Sequence, residues 1–205
     1  MHLLLLTSPN PLDYGWWLAS RAAGVVSLAA VSASVIIGLM MANGLPRRPG
    51  AKRSLLGLHE ATALTGLVAI AVHGLTLLGD NYFKPSVVNI LVPFTLSYRT
   101  TFTGLGIIAG YLAALLGLSF YARKTIGAQL WRKLHRATIV VWALGVIHVL
   151  GGGTDAGQIW LQSILAVTTV PIVFLFALRM MPPKKASRPQ NPPPPSRRAA
   201  RGLRA

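Results

Sequence analysis

The chain has 205 residues, of which 53% are hydrophobic and only 12% charged, with a formal net charge of +16. A soluble domain carries about a quarter charged residues, so the composition excludes an ordinary water-facing surface. There is no cysteine, which excludes disulfides, thiolate-held zinc, cysteine-held iron–sulfur clusters and thioether-linked haem.

The basic residues form no nucleic-acid-binding motif. They lie between apolar blocks and near the C-terminus, where loop charge and contacts to anionic lipid place them. Residues 1–13 are partly apolar but have no basic stretch before them, so they read as an N-terminal extracytoplasmic segment, not a cleaved signal peptide. Five apolar blocks follow, at roughly 14–43, 54–79, 101–121, 131–150 and 157–178. Each is near or above the ~20 residues that cross a bilayer. Backbone groups in lipid must bond within their own segment, so the expectation is an all-α bundle of five transmembrane helices in one membrane domain, 14–181.

The loops orient it. Arg47, Arg48, Lys52 and Arg53 follow the first block, Arg123, Lys124, Arg132, Lys133 and Arg136 follow the third, and eight more Lys or Arg follow the fifth. Only Arg21, Lys84 and Arg99 fall on the other side. Positive charge stays inside, so the N-terminus is expected outside, the C-terminus in the cytoplasm, and the chain in the cell membrane. Tyr14, Trp16, Trp17 and Trp160 then belong to the outer aromatic belt and Trp131 to the inner one. The loop 80–99 contains a run, 87–94, too short to cross, which lies on or dips into the outer surface. Gly106 and Gly110 have the spacing of a helix-packing motif, and Pro171 marks a kink in the fifth span. Residues 182–205 carry seven prolines and many basic residues and read as a disordered cytoplasmic tail.

Four histidines carry the chemistry. His59 and His73 lie 14 residues apart in the second block, and His135 and His148 lie 13 apart in the fourth. These steps are about 21 and 19.5 Å at 1.5 Å per residue. Both blocks run from inside to outside, so His59 shares a depth with His135, and His73 with His148. Ionisable groups within a span are costly and point to function. Two imidazoles at one depth suit haem iron, which accepts two axial histidines; zinc or copper needs three or four ligands. A 14-residue step returns to within about 40° of one helix face, but a 13-residue step misses by about 140°. The fourth helix must therefore be locally irregular, with Gly145 a candidate place, or its two histidines must leave it at different angles.

Basic side chains near the two levels suit haem propionates: Arg132 and Arg136 inside, Arg21 and Arg99 outside. Arg132 and Arg136 are also what positive-inside charge alone would give, and Arg21 could instead snorkel to the interface. Two motifs fail on inspection. His59-Glu60 begins a zinc-protease pattern that Ala63 breaks, and Gly151, Gly153 and Ala156 imitate a dinucleotide-binding run in an outer turn with no strand before it.

The stretches LLGLHEATALTGLVAIAVHGL (55–75), PFTLSYR (93–99) and WRKLHRATIVVWALGVIHVL (131–150) resemble the ferric reductase-like transmembrane domain, the haem module of ferric reductases and NADPH oxidases. The resemblance implies two b-type haems, an inner one on His59 and His135 and an outer one on His73 and His148, passing electrons outward. It departs in having five helices where many relatives have six, and in encoding no flavin or NADPH domain. The haem-binding subunit of the bacterial methionine sulfoxide reductase system is a related stand-alone case. The expected donor is the quinol pool or a cytoplasmic flavoprotein. The competing reading is a redox-inactive structural or transport subunit that has kept the fold.

Overall fold

A computed structural model describes residues 14–45 and 48–181. The N-terminal segment with His2, the loop residue Arg47 and the Pro/Arg-rich tail lie outside the described residues.

The described residues are helical and contain no strand. The elements are α1 (Gly15–Ala42), α2 (Ala51–Thr76) continued by a 3₁₀ turn at Leu77–Gly79, α3 (Val87–Leu91), α4 (Thr100–Leu118), α5 (Arg123–Ile126), α6 (Ala128–His135), α7 (Thr138–Gly152) and α8 (Ile159–Met180). Five segments are long and apolar enough to cross a membrane: α1, α2 with its 3₁₀ turn, α4, α6 with α7, and α8. Apart from the amphipathic α6, they are apolar on nearly all sides, as helices bathed in lipid are, and large side chains such as Val68, Leu75 and Val167 remain exposed. Short connections make successive spans antiparallel. One end of the bundle holds residues 43–45, 48–50 and 119–127 and is rich in Lys and Arg; it is called the basic end below. The opposite end holds Tyr14, the loop 80–99 and the turn 153–158.

Two helical hairpins make up most of the bundle. α1 packs along α2, and α4 packs along α7, while α8 lies against α1. Leu28 of α1 joins Leu161 and Leu165 of α8 in the core cluster, with Val146 and Val149 of α7 against them. Small residues let α1 into the centre: Ser20 and Ser32 are almost fully buried, and the Trp142 indole N–H donates to Ser32 Oγ at 3.1 Å. At the basic end Asn43 Nδ2 donates to the Leu175 carbonyl and Arg179 to the Ala42 carbonyl, fastening α8 to α1. Helix α8 runs through Pro171 without interruption.

The loop 80–99 dips between the spans. Buried Asp80 accepts from the backbone N–H groups of Tyr82 and Phe83. α3 begins in a capping box between Ser86 and Asn89. The Tyr111 hydroxyl donates to the Leu91 carbonyl at 2.5 Å, although Tyr111 lies 11 residues into α4, about 16 Å from its start. Phe94 (φ 66°) and Arg99 (φ 42°) adopt left-handed backbone, rare for residues with a Cβ. Phe94 thereby sets its ring where a Cβ on Gly104 would fall.

The expected irregularity of the fourth span is real, but it is not at Gly145, which sits inside regular α7. The break lies at Arg136 and Ala137, immediately after His135. There the N–H of Ala137 bonds to Leu134 and that of Val140 to Ala137, three residues back. Three-residue turns advance about 120° per residue against about 100° in an α-helix. The tightening therefore rotates α7 in the direction the 13-residue step requires.

Candidate functional site

The four in-span histidines come together in two pairs. The rings of His59 and His135 lie with centroids 6.0 Å apart and planes at 84°. Those of His73 and His148 lie 6.2 Å apart at 73°. In each pair one ring comes from the first hairpin and one from the second. α2 and α7 themselves barely approach one another, so the imidazoles reach across a slot.

Neighbouring helices orient the rings. His73 Nδ1 lies 2.8 Å from the carbonyl oxygen of Ser20, and His59 Nδ1 lies 2.9 Å from that of Ser34. His148 Nδ1 lies 2.8 Å from the carbonyl of Phe102 on α4. A carbonyl only accepts, so each of these three rings carries its proton on Nδ1. That leaves the Nε2 lone pair for a ligand, the second-shell arrangement usual around metal-bound histidine. The two serine hydroxyls return the contact, donating to the backbone carbonyls of His73 and His59. His135 differs: its Nδ1 is buried without a hydrogen-bond partner, as is Nε1 of Trp131, whose ring stacks on His135 at 5.0 Å and 25°.

Glycines make the room. A Cβ on Gly24 would lie 3.2 Å from the His73 ring, and one on Gly38 3.2 Å from the His59 ring. A Cβ on Gly106 would run into the His148 ring. Gly106 was expected to serve helix packing, and it lets α4 approach α7 where the His148 ring lies. The first hairpin is a 14-residue repeat. Ser20 and Gly24 recur as Ser34 and Gly38, and His59 and Thr62 recur as His73 and Thr76, with each threonine hydroxyl donating to the preceding histidine carbonyl. Sequence reasoning found the histidines and missed the Ser-x₃-Gly pairs that seat them, although the shared interval of 14 was the available signal.

A cavity of about 820 Å³ adjoins the pair far from the basic end. Its walls are mostly apolar and include His73, His148, Gly24, Gly106, Arg21 and Tyr98, with the dipping loop closing one side at Ile90 and Leu91.

The arginines are placed unequally. Arg21 lines the cavity, but its guanidinium grips Asp155 through two nitrogens, at 2.5 and 2.8 Å. It also lies over the rings of Trp17 and Trp160. Asp155, in the turn after α7, was not anticipated as its partner. Arg99 is exposed, outside the cavity wall, and donates to the Gly151 carbonyl at 2.7 Å. Arg132 and Arg136 are exposed at the basic end, around His135.

The donor set discriminates between ligands. Among the described residues no group of three or more His, Cys, Asp or Glu could hold a bare metal ion. Two facing imidazoles would suit a metal that brings its remaining ligands with it. Two metal–nitrogen bonds of about 2 Å plus two ring radii sum to about 6 Å, the spacing both pairs have. The residues present fit a bis-histidine haem at each level, by the spacing of the rings and the glycines beside them, and by the free Nε2 atoms of His59, His73 and His148. Compared with protein-family models, curated proteins and solved structures, the chain has no match in any of the three.

Proposed function

We propose that the chain carries electrons across a cell membrane through two b-type haems, held by His59 with His135 and by His73 with His148. When held by two histidines, each haem would supply a one-electron iron centre suited to electron transfer rather than to ligand chemistry. The chain's own groups do the rest. The Ser20, Ser34 and Phe102 carbonyls fix the tautomer and angle of three ligands. Gly24, Gly38 and Gly106 let the rings lie close to the neighbouring helices, and the apolar walls exclude water. By the positive-inside rule the His59–His135 pair faces the cytoplasm. Electrons would then enter at the basic end and leave near Asp155 and the dipping loop.

The observation that carries this reading is the pairing itself: two cross-hairpin imidazole pairs, 6.0 and 6.2 Å between centroids. It is tested by purifying the protein in detergent after expression with ample haem, then recording reduced-minus-oxidised absorption spectra and pyridine haemochrome content. Two b haems per chain, reduced by dithionite and reoxidised by air, is the expected result. Folded protein that binds none under those conditions would leave the redox-inactive reading.

A further inference from the structure

The two histidines of the second hairpin are seated differently. His148 donates from Nδ1 to the Phe102 carbonyl, with Gly106 beside its ring. Fourteen residues further along the chain, Leu116 and Phe120 stand in the corresponding places. Where glycine leaves space, a phenylalanine ring fills it. The Phe120 ring meets that of Trp131 at 5.8 Å, and Trp131 stacks on His135. His135 Nδ1 and Trp131 Nε1 are both buried without a hydrogen-bond partner. With no hydrogen bond at Nδ1, the place of the His135 ring depends on where α6 lies.

α6 is set off from α7 by the tight turns at Arg136 and Ala137, and it packs chiefly against α4 and α5. Its sequence forms stripes at i, i+4 spacing. Trp131 and His135 turn inward. Leu130 and Leu134 are exposed, and so are Arg132, Lys133 and Arg136. Lys124 of α5 adds a fourth exposed cation. No acidic residue occurs from 119 to 137, and among the described residues none of these four cations is in a salt bridge. Exposed leucines beside a basic stripe are the pattern of a helix lying at a membrane surface, its apolar side towards acyl chains and its cations towards anionic headgroups.

We propose that α6 binds anionic phospholipid headgroups through Lys124, Arg132, Lys133 and Arg136, and that this contact sets the position of His135 opposite His59. The proposal rests on the haem reading above and makes one of the two sites dependent on lipid. Headgroups that hold the basic stripe fix the depth and rotation of α6, and the stacked Trp131 and His135 move with it. The His73–His148 pair does not share the dependence, because both of its Nδ1 atoms donate to carbonyls inside the bundle.

The test uses the full chain in nanodiscs of phosphatidylcholine, alone or with phosphatidylglycerol. In haem-free protein, amide hydrogen exchange over 128–135 is expected to slow when phosphatidylglycerol is present. Each basic side chain at such a surface strengthens binding about fivefold. The Lys124→Gln, Lys133→Gln double variant, which spares the arginines, should therefore need at least about five times more phosphatidylglycerol for half the effect. In haem-loaded protein, the low-spin signal of the component lost in His59→Ala should weaken in phosphatidylcholine alone and recover with phosphatidylglycerol. The component lost in His73→Ala should not change. Equal exchange in both lipids overturns the lipid contact and leaves the haem reading standing. So does an effect reproduced in phosphatidylcholine by inorganic phosphate or by soluble polyglutamate, which would assign the basic face to a free anion or to an acidic protein. Lipid-dependent exchange with an unchanged His59–His135 component overturns the coupling to His135. Protein that binds no haem fails the haem reading alone, since the haem-free exchange still reads the lipid contact.

Discussion

Ser34 and His59 hold each other twice: the imidazole Nδ1 donates to the serine carbonyl at 2.9 Å, and the serine hydroxyl donates to the histidine carbonyl at 3.3 Å. Ser20 and His73 repeat the exchange one 14-residue interval away. One turn further along α1, Gly38 and Gly24 leave 3.2 Å between a built Cβ and each ring. A branched side chain there pushes the ring off its axis. Gly24→Val is expected to remove the haem of the His73–His148 pair, and Gly38→Val that of the His59–His135 pair. Haem per chain should fall from two to one in each case. Retention of both haems in both variants would show that the rings tolerate displacement.

The pairing across hairpins fixes which substitutions share a phenotype. His73→Ala and His148→Ala should delete one spectral component, and His59→Ala and His135→Ala the other. Low-temperature absorption spectra of the four variants check this. Loss of the same component from His59→Ala and His73→Ala would contradict the geometry.

The near-perpendicular rings, 84° and 73° between planes, make a spectroscopic prediction that needs no substrate. If both rings bound one iron in this orientation, the two iron d orbitals that overlap their π systems would be almost equal in energy. The oxidised protein should therefore give strongly anisotropic low-spin electron paramagnetic resonance signals. A rhombic signal typical of parallel rings would mean that the pairs turn on binding iron.

The Arg21–Asp155 pair makes opposing predictions for its two members. As an ion pair it adds little net charge beside the His73–His148 site. Arg21→Gln leaves a carboxylate, which favours ferric iron and lowers the potential of that haem. Asp155→Asn leaves a guanidinium and raises it. A shift on the order of 1 kcal/mol corresponds to about 40 mV for one electron. The double variant should return close to the wild-type value. Arg99→Gln, whose side chain is exposed and bonded to Gly151, should shift the potential less than Arg21→Gln. Potentiometric titration of the absorption bands reads all four.

Much of this architecture was legible in the sequence because it depends on axial spacing. Apolar run length gave the five spans, and the intervals of 14 and 13 gave the depths at which His59 meets His135 and His73 meets His148. Features that depend on rotation about a helix axis, or on one chain segment meeting another, were not legible. The break after His135 has no glycine or proline to announce it, and the more inviting Gly145 lies in regular helix. Trp131 looked like an interfacial aromatic but stacks on a histidine, because i and i+4 share a face. Asp155 sits in a glycine-rich turn 134 residues from Arg21, and no periodicity links the two. The run 87–94 was read as too short to cross, and the helix there spans only Val87–Leu91, but its role in a cavity wall follows from where α4 places Tyr111.

Because every imidazole pair draws one member from α1–α2 and the other from α4–α7, neither site exists on a partly inserted chain. The first hairpin can enter the bilayer with both of its histidines seated on Ser20 and Ser34, yet it offers half of each coordination shell. Completion waits until the chain has been threaded as far as His148. A prosthetic group bridging the slot would then act as a late clasp, stabilising the assembled state over the separated hairpins in proportion to its occupancy. During haem starvation the newly made protein would lack that clasp, and its hairpins would be held together by direct contacts alone, such as Trp142 with Ser32 and Arg21 with Asp155.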